Sequence, residues 1–105
     1  MILINIITDT TDEAVHVSDI LIQENMLIES FIQERFTVRE MNANNEMVST
    51  QKTLVTGKTK ALLFNRIEAL VKAHFPTNPP ILYAIPIVQM DWEQAKQLKD
   101  SVAKV

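Results

Sequence analysis

The sequence predicts an α+β fold in which one antiparallel sheet carries a layer of helices. Three observations predict it. Strand-like runs, period-two or continuously apolar, alternate with amphipathic runs of helical period. Breakers separate these runs: Asn42-Ala43-Asn44-Asn45, the lone Gly57, and the cluster Pro76, Pro79 and Pro80. The resulting order is strand, helix, strand, strand, helix, strand, helix. Its first six elements form the split βαβ, ferredoxin-like βαββαβ sandwich, with an extra C-terminal helix appended.

The elements follow in chain order. Ile2 to Ile7 is a β-branched run broken only by Asn5 and reads as a strand buried on both faces. Thr10 and Glu13 fit a capping box, and Asp9, Asp12 and Glu13 suit the positive end of a helix. That helix carries Ala14, Val17, Ile20 and Leu21 on one stripe and should end near Asn25 or Met26. From Ile28 to Met41 the period becomes two, with Ile28, Ile32, Phe36 and Val38 of one parity and Phe31 out of step. After the asparagine turn, Glu46 to Thr56 forms a second arm with Val48, Thr50, Lys52 and Leu54 on one face. Each arm would span on the order of 35–45 Å, longer than a small domain needs, so the hairpin should project or pair with another chain.

Gly57 should end the hairpin, and a second helix should start near Thr59-Lys60 with Leu63, Ile67, Leu70, Val71 and His74 on one face. Ile81 to Val88 reads as a central buried strand with Pro86 near its end. Asp91, with Gln94 three residues on, starts a third helix whose apolar stripe is Trp92, Ala95, Leu98 and Val102. The expected core comprises Ile4, Ile6, Leu21, Ile67, Leu70, Ile85 and Ile87.

Composition bounds the function. The 105 residues suffice for one domain, so residues 1–105 are expected to fold as a unit. Zero cysteines exclude disulfides, thiolate metal sites and a cysteine nucleophile. Ten basic against thirteen acidic residues, net charge −3, argue against a nucleic-acid footprint. The apolar start at Met1 has no basic lead and meets Thr8-Asp9 at once, so neither a targeting peptide nor a membrane span is expected, and the location should be cytoplasmic. The charge is lopsided: seven acids and no base precede Arg35, which would suit cation steering or matching faces between subunits.

Few residues are arranged for chemistry. Gly57-Lys58-Thr59 ends like a phosphate-binding loop, but that loop needs glycine where Lys52 stands. What survives is an anion site formed by Lys58, Thr59 and Lys60 at a helix N-terminus, against which stands a solvated pair of lysines. His16, flanked by Asp12, Glu13 and Asp19, has a spacing that could hold a divalent ion, though a polar helix face is the commoner meaning. His74 is either a capped or core histidine or a metal ligand. The two histidines are expected to point apart within one subunit. No nucleophile with base and orienter can be assembled, so no enzymatic activity is expected.

Lys58-Thr59-Lys60, His74-Phe75-Pro76 with Pro80, and Ala84-Ile85-Pro86-Ile87, together with a first strand ending in Thr8 before an acidic helix start, resemble the CutA family of divalent-cation tolerance proteins. The resemblance covers nearly the whole chain in element order. It implies a non-enzymatic, PII-like homotrimer that exchanges strand pairing through its long hairpins and takes part in copper or other divalent-metal tolerance. The family usually has a cysteine after the first helix, an aromatic pair in the second strand and His-Pro-Tyr after the second helix. Here Leu27-Ile28-Glu29-Ser30, Phe36 with Val38, and Thr77 stand instead, and Ile81 replaces an acid. Of the metal-associated positions only His74 matches. The resemblance therefore implies at most a weakly bound divalent ion at His74. The alternative is a PII-like sensor that binds an anionic metabolite in clefts between subunits.

Overall fold

The computed structural model describes residues 1–105, in the order β1 (Ile2–Thr8), α1 (Thr11–Gln23), β2 (Phe31–Met41), β3 (Met47–Thr59), a 3-10 turn (Ala61–Leu63), α2 (Phe64–His74), β4 (Ile81–Pro86) and α3 (Trp92–Ser101). The four strands form one antiparallel sheet in the order β2-β3-β1-β4. This is the expected α+β arrangement, with the connections of a split βαβ sandwich. No helix is long and apolar enough to cross a membrane.

Local chemistry sets the element ends. Thr10 caps α1 through its hydroxyl, which accepts from the Glu13 backbone N–H at 3.1 Å. Asp91 caps α3 in the same way, accepting from Gln94 N–H at 3.0 Å. The hairpin loop is held by Asn42, whose Oδ1 accepts from the backbone N–H groups of Asn44 and Glu46 at 2.9 and 3.0 Å. Asn45 follows in the left-handed region at φ 60°.

The core lies between the sheet and its helices. Ile2, Ile4 and Ile6 of β1 and Val55 of β3 pack with Ala14, Val17 and Leu21 of α1, with Leu63, Ile67 and Val71, and with Leu98 and Val102 from the C-terminal segment. Each buried aliphatic side chain of this kind stabilises the fold by roughly 1.5–3 kcal/mol. Of the expected core, Ile4, Ile6, Leu21 and Ile67 are buried, whereas Leu70 is half-buried and Ile85 is exposed.

Ile85 corrects the reading of its strand. β4 is an edge, not a centre, and its residues alternate between two surfaces. Leu82 and Ala84 lean on the core, while Ile81, Tyr83 and Ile85 lie on the sheet face without helices. The run is apolar throughout because both of its faces are apolar. Pro86, at the end of an edge strand, interrupts little of the ladder.

Three further expectations change. Gly57 does not end the hairpin: it lies within β3, opposite Ile4. Its φ is not positive, and its role is close packing. A Cβ there would come within 2.8 Å of Leu27 Cδ1 and 3.2 Å of the Glu29 carbonyl oxygen. The single parity expected from Ile28 to Val38 is broken by a β-bulge between Gln33 and Phe36, with Arg35 at φ 56°. The bulge puts Ile32 beside Val55 on the helix side and turns Phe36 and Val38, opposite Lys52 and Thr50, to the open face that Phe31 shares. Trp92 is 74% exposed rather than part of the α3 stripe. At about 100° per residue it stands about 120° around the helix from Leu98.

Ile67→Ala should lower unfolding free energy by about 2–5 kcal/mol in urea titration, because a fully buried side chain leaves a cavity. Gly57→Ala should cost about 1–3 kcal/mol through overpacking against Leu27. A loss below about 0.5 kcal/mol in either would show that the site relaxes freely.

Candidate functional site

The topology gathers polar residues at one end of the sheet. β1 ends at Thr8 and leads into α1; β4 begins at Ile81, opposite Ile7, after α2 has ended at His74. The first half of α1 and the last turn of α2 therefore share that end. His16 and His74 meet there, with ring centres 5.8 Å apart and planes at 72°. This overturns the expectation that they point apart. Phe75 stands beside them, its ring centre 5.7 Å from that of His16. Both imidazoles are exposed. His74 is bound to its own helix, with Nδ1 donating to the Leu70 carbonyl oxygen at 2.9 Å. Asp12, Glu13 and Asp19 do not converge on His16: no group of three or more histidine or carboxylate side chains could hold a metal together.

Beside this end lies a cavity of about 180 Å³ lined in part by Asp9, Glu13, Lys52, Asn78 and Ile81. Lys52 Nζ donates to Asp9 Oδ1 at 2.6 Å, and Asn78 Nδ2 donates to Oδ2 at 3.1 Å. The Lys52 hydrogen bond holds the Asp9 carboxyl below its ordinary value, and the same bond raises the Lys52 ammonium. Asp9 thus has both oxygens occupied.

The residues expected to bind an anion do not converge. Lys58 and Thr59 are still in β3, not at a helix N-terminus, because that strand runs on past Gly57. Thr59 is fully buried and donates to the Met26 carbonyl at 2.7 Å. Lys60 precedes the 3-10 turn and donates to the Ala103 carbonyl at 3.0 Å. Lys58 lines a cavity of about 420 Å³, with Ile28, Glu29, Met90, Gln94 and Gln97 among its walls, whereas Lys60 lines a separate one with Ala61, Leu62 and Lys99.

The open sheet face is the largest feature that sequence reasoning missed. Leu3 and Ile7 of β1, Leu54 of β3, Phe31 of β2 and Ile81, Tyr83 and Ile85 of β4 share it. Phe31 and Ile81 are 57% and 53% exposed. Asn5 lies in the middle, buried, with an Oδ1 that has no hydrogen-bond partner. The available signal was the unbroken apolarity of residues 81–85, which a half-covered strand would not need.

No family model and no curated protein matches the chain. Solved structures do match over its full length. A divalent cation tolerance protein (CutA1) from Thermus thermophilus aligns at TM-score 0.85 and 23% identity, covering 98% of this chain and 100% of that one. CutA1 from Oryza sativa aligns at TM-score 0.88 and 17% identity, covering 99% and 94%. The divalent cation tolerance protein CutA from Archaeoglobus fulgidus aligns at TM-score 0.85 and 19% identity, covering 98% and 100%. The chain has the CutA1 fold. Few identical residues suffice for that fold because its core asks for apolar volume at set positions rather than for particular side chains.

The Asp9–Lys52 pair sets a pH expectation. A carboxyl depressed on folding contributes stability above its unfolded value, and that contribution is lost as pH falls through the folded one. The raised Lys52 contributes below its unfolded value and loses it as pH rises further. The pair should therefore act between the acidic and the alkaline limits. As it is partly exposed, it should contribute no more than about 1 kcal/mol. Thermal melts of Asp9→Asn should show a smaller loss of stability below pH 4 than the parent chain, with the difference shrinking at high salt. Equal acid sensitivity would remove this pair from the account.

Proposed function

We propose that this chain is a divergent divalent-cation tolerance protein of the CutA kind, working as a non-enzymatic homotrimer. The observation that carries the proposal is the full-length likeness to structures named for divalent cation tolerance. Physical features of the chain support the assembly. The open face sets Leu3, Ile7, Phe31, Leu54, Ile81 and Ile85 on one surface, and contiguous apolar surface of that kind is usually an interface. β2 and β4 leave their outer edges unpaired, and the hairpin stretches the molecule to 48 Å in its long dimension. Further copies would cover the face and pair the edges.

A second reading is a sensor of small anions. It is favoured by Lys58, which stands outside the ion pairs and faces its cavity with the amides of Gln94 and Gln97.

Light scattering should give three times the 12.0 kDa chain mass, and Tyr83→Lys on the open face should shift the population toward monomer. Loss of the gene should lower growth tolerance to copper(II) salts. A monomeric parent chain, or tolerance unchanged, would sink the respective half of the proposal. A melting temperature raised by ATP and returned to baseline by Lys58→Met would favour the second reading instead.

A further inference from the structure

We propose that the cleft between α3, Lys58 of β3 and the segment after α1 binds a free α-amino acid with an aliphatic side chain, of leucine or methionine size. The assignment rests on the second reading above for a ligand at Lys58, and changes that ligand from an anion to a zwitterion. Glu29 decides the change. It lines the same cavity as Lys58. The ion pairs of the chain join Lys52 to Asp9, Lys72 to Glu68 and Lys96 to Asp100, so Lys58 and Glu29 do not neutralise each other. The cleft therefore offers one cation and one anion, each without a charged partner. A phosphate or polyphosphate would be drawn to Lys58 and repelled by Glu29. A molecule with a carboxylate and an ammonium on one carbon satisfies both.

Close packing at Gly57 brings the two charges together. A Cβ on Gly57 would stand 3.2 Å from the Glu29 carbonyl oxygen, and Lys58 is the next residue of the strand. The opposing side is α3. Gln94 and Gln97 stand three residues apart, share one face of that helix and line the cavity. Gln94 donates its backbone N–H to the Asp91 cap, so its side-chain amide is not spent there. An amide is both donor and acceptor. One of the pair would donate to the ligand carboxylate beside Lys58, and the other would accept from the ligand ammonium beside Glu29.

The remaining walls set the side chain. Ile28, Met90 and the buried Leu98 are apolar and suit an aliphatic chain. Methionine adapts to branched and unbranched shapes alike. At about 30 Å³ of liquid volume per water-sized group, the cavity of about 420 Å³ holds roughly fourteen, room for such an amino acid and some water. Lys58 is half-buried and Glu29 exposed, so both charges stay partly hydrated and the affinity should be submillimolar rather than nanomolar.

The test is calorimetry on the full chain, in the assembly it forms, at pH 7.5. The probes are L-leucine, L-methionine, ATP and two half-ligands: isocaproate, which is leucine without its ammonium, and isopentylamine, which is leucine without its carboxylate. Leucine and methionine should bind, and each half-ligand should bind about tenfold more weakly or worse, because each forfeits a hydrogen-bonded charge. Lys58→Met should remove the advantage of leucine over isopentylamine, and Glu29→Gln its advantage over isocaproate. These ratios are read within one variant, so a loss of stability does not mimic them. The half-ligand comparison on the parent chain decides the matter even if neither variant folds. Isocaproate bound as tightly as leucine, or ratios unmoved by the variants, would overturn the amino-acid site. ATP bound in a way that Lys58→Met abolishes, with no binding of leucine, would overturn it and keep the anion reading. No binding of leucine, methionine or ATP would remove both. Leucine bound through both charges, with no binding of ATP, would establish the site and retire the anion as its ligand.

Discussion

The close approach of Leu27 to Gly57 is the contact on which most of the molecule depends. Leu27 is buried because the third-last residue of β3 has no Cβ to displace it. Burying Leu27 brings the segment after α1 down onto the sheet, where Met26 accepts from the fully buried Thr59 hydroxyl. The backbone N–H groups of Met26 and Leu27 turn back to the Leu21 carbonyl and end the helix. The same segment receives the C-terminus, since Ala103 N–H donates to the Asn25 carbonyl at 2.8 Å. This close approach therefore lies where α1 leaves the sheet, where the chain turns toward β2 and where the segment after α3 returns. It also places Ile28 and Glu29 on the wall of the cavity that Lys58 lines.

With the helices fixed to one side, the other side of the sheet is left to be explained by its residues. A protein that kept this face in water would be expected to alternate polar residues along β1 and β4, and this one does not. Asn5 is the exception, and its unpartnered oxygen costs about 1–3 kcal/mol in a dry environment. In the proposed assembly a donor from a neighbouring copy would answer it. At the opposite surface, the helices bring together two histidines separated by 58 residues of sequence, a juxtaposition made by topology rather than by local spacing.

The order of elements was legible because helix stripes, caps and the asparagine turn are local signals. Thr10, Asp91 and Asn42 act where their side-chain chemistry places them. What was not legible came from non-local geometry. Ile85 looked central because a strand apolar on both faces reads the same whether helices or other subunits cover it. The parity of β2 failed at Arg35 because a bulge adds a residue without any compositional mark, and arginine is not a residue that advertises positive φ. Gly57 looked like a terminator because close packing and turn formation both call for glycine. The His16–His74 pair was within reach of topology: β1 and β4 are antiparallel neighbours, so the residues following one and preceding the other must share an end. Trp92 opens the helix, a position from which the buried stripe has already rotated away.

The scarcity of glycine has a consequence outside the folded state. Three residues adopt left-handed backbone, Asn25, Arg35 and Asn45, and each carries a side chain. Glycine at these positions would relieve local strain, most of all at Arg35, where a side chain costs roughly 1–2 kcal/mol. It would also widen the range of conformations open to the denatured chain, which has only one glycine in 105 residues. The denatured ensemble of this protein is therefore comparatively stiff, with less backbone entropy to surrender per residue. Part of its stability resides in what the unfolded chain is prevented from doing.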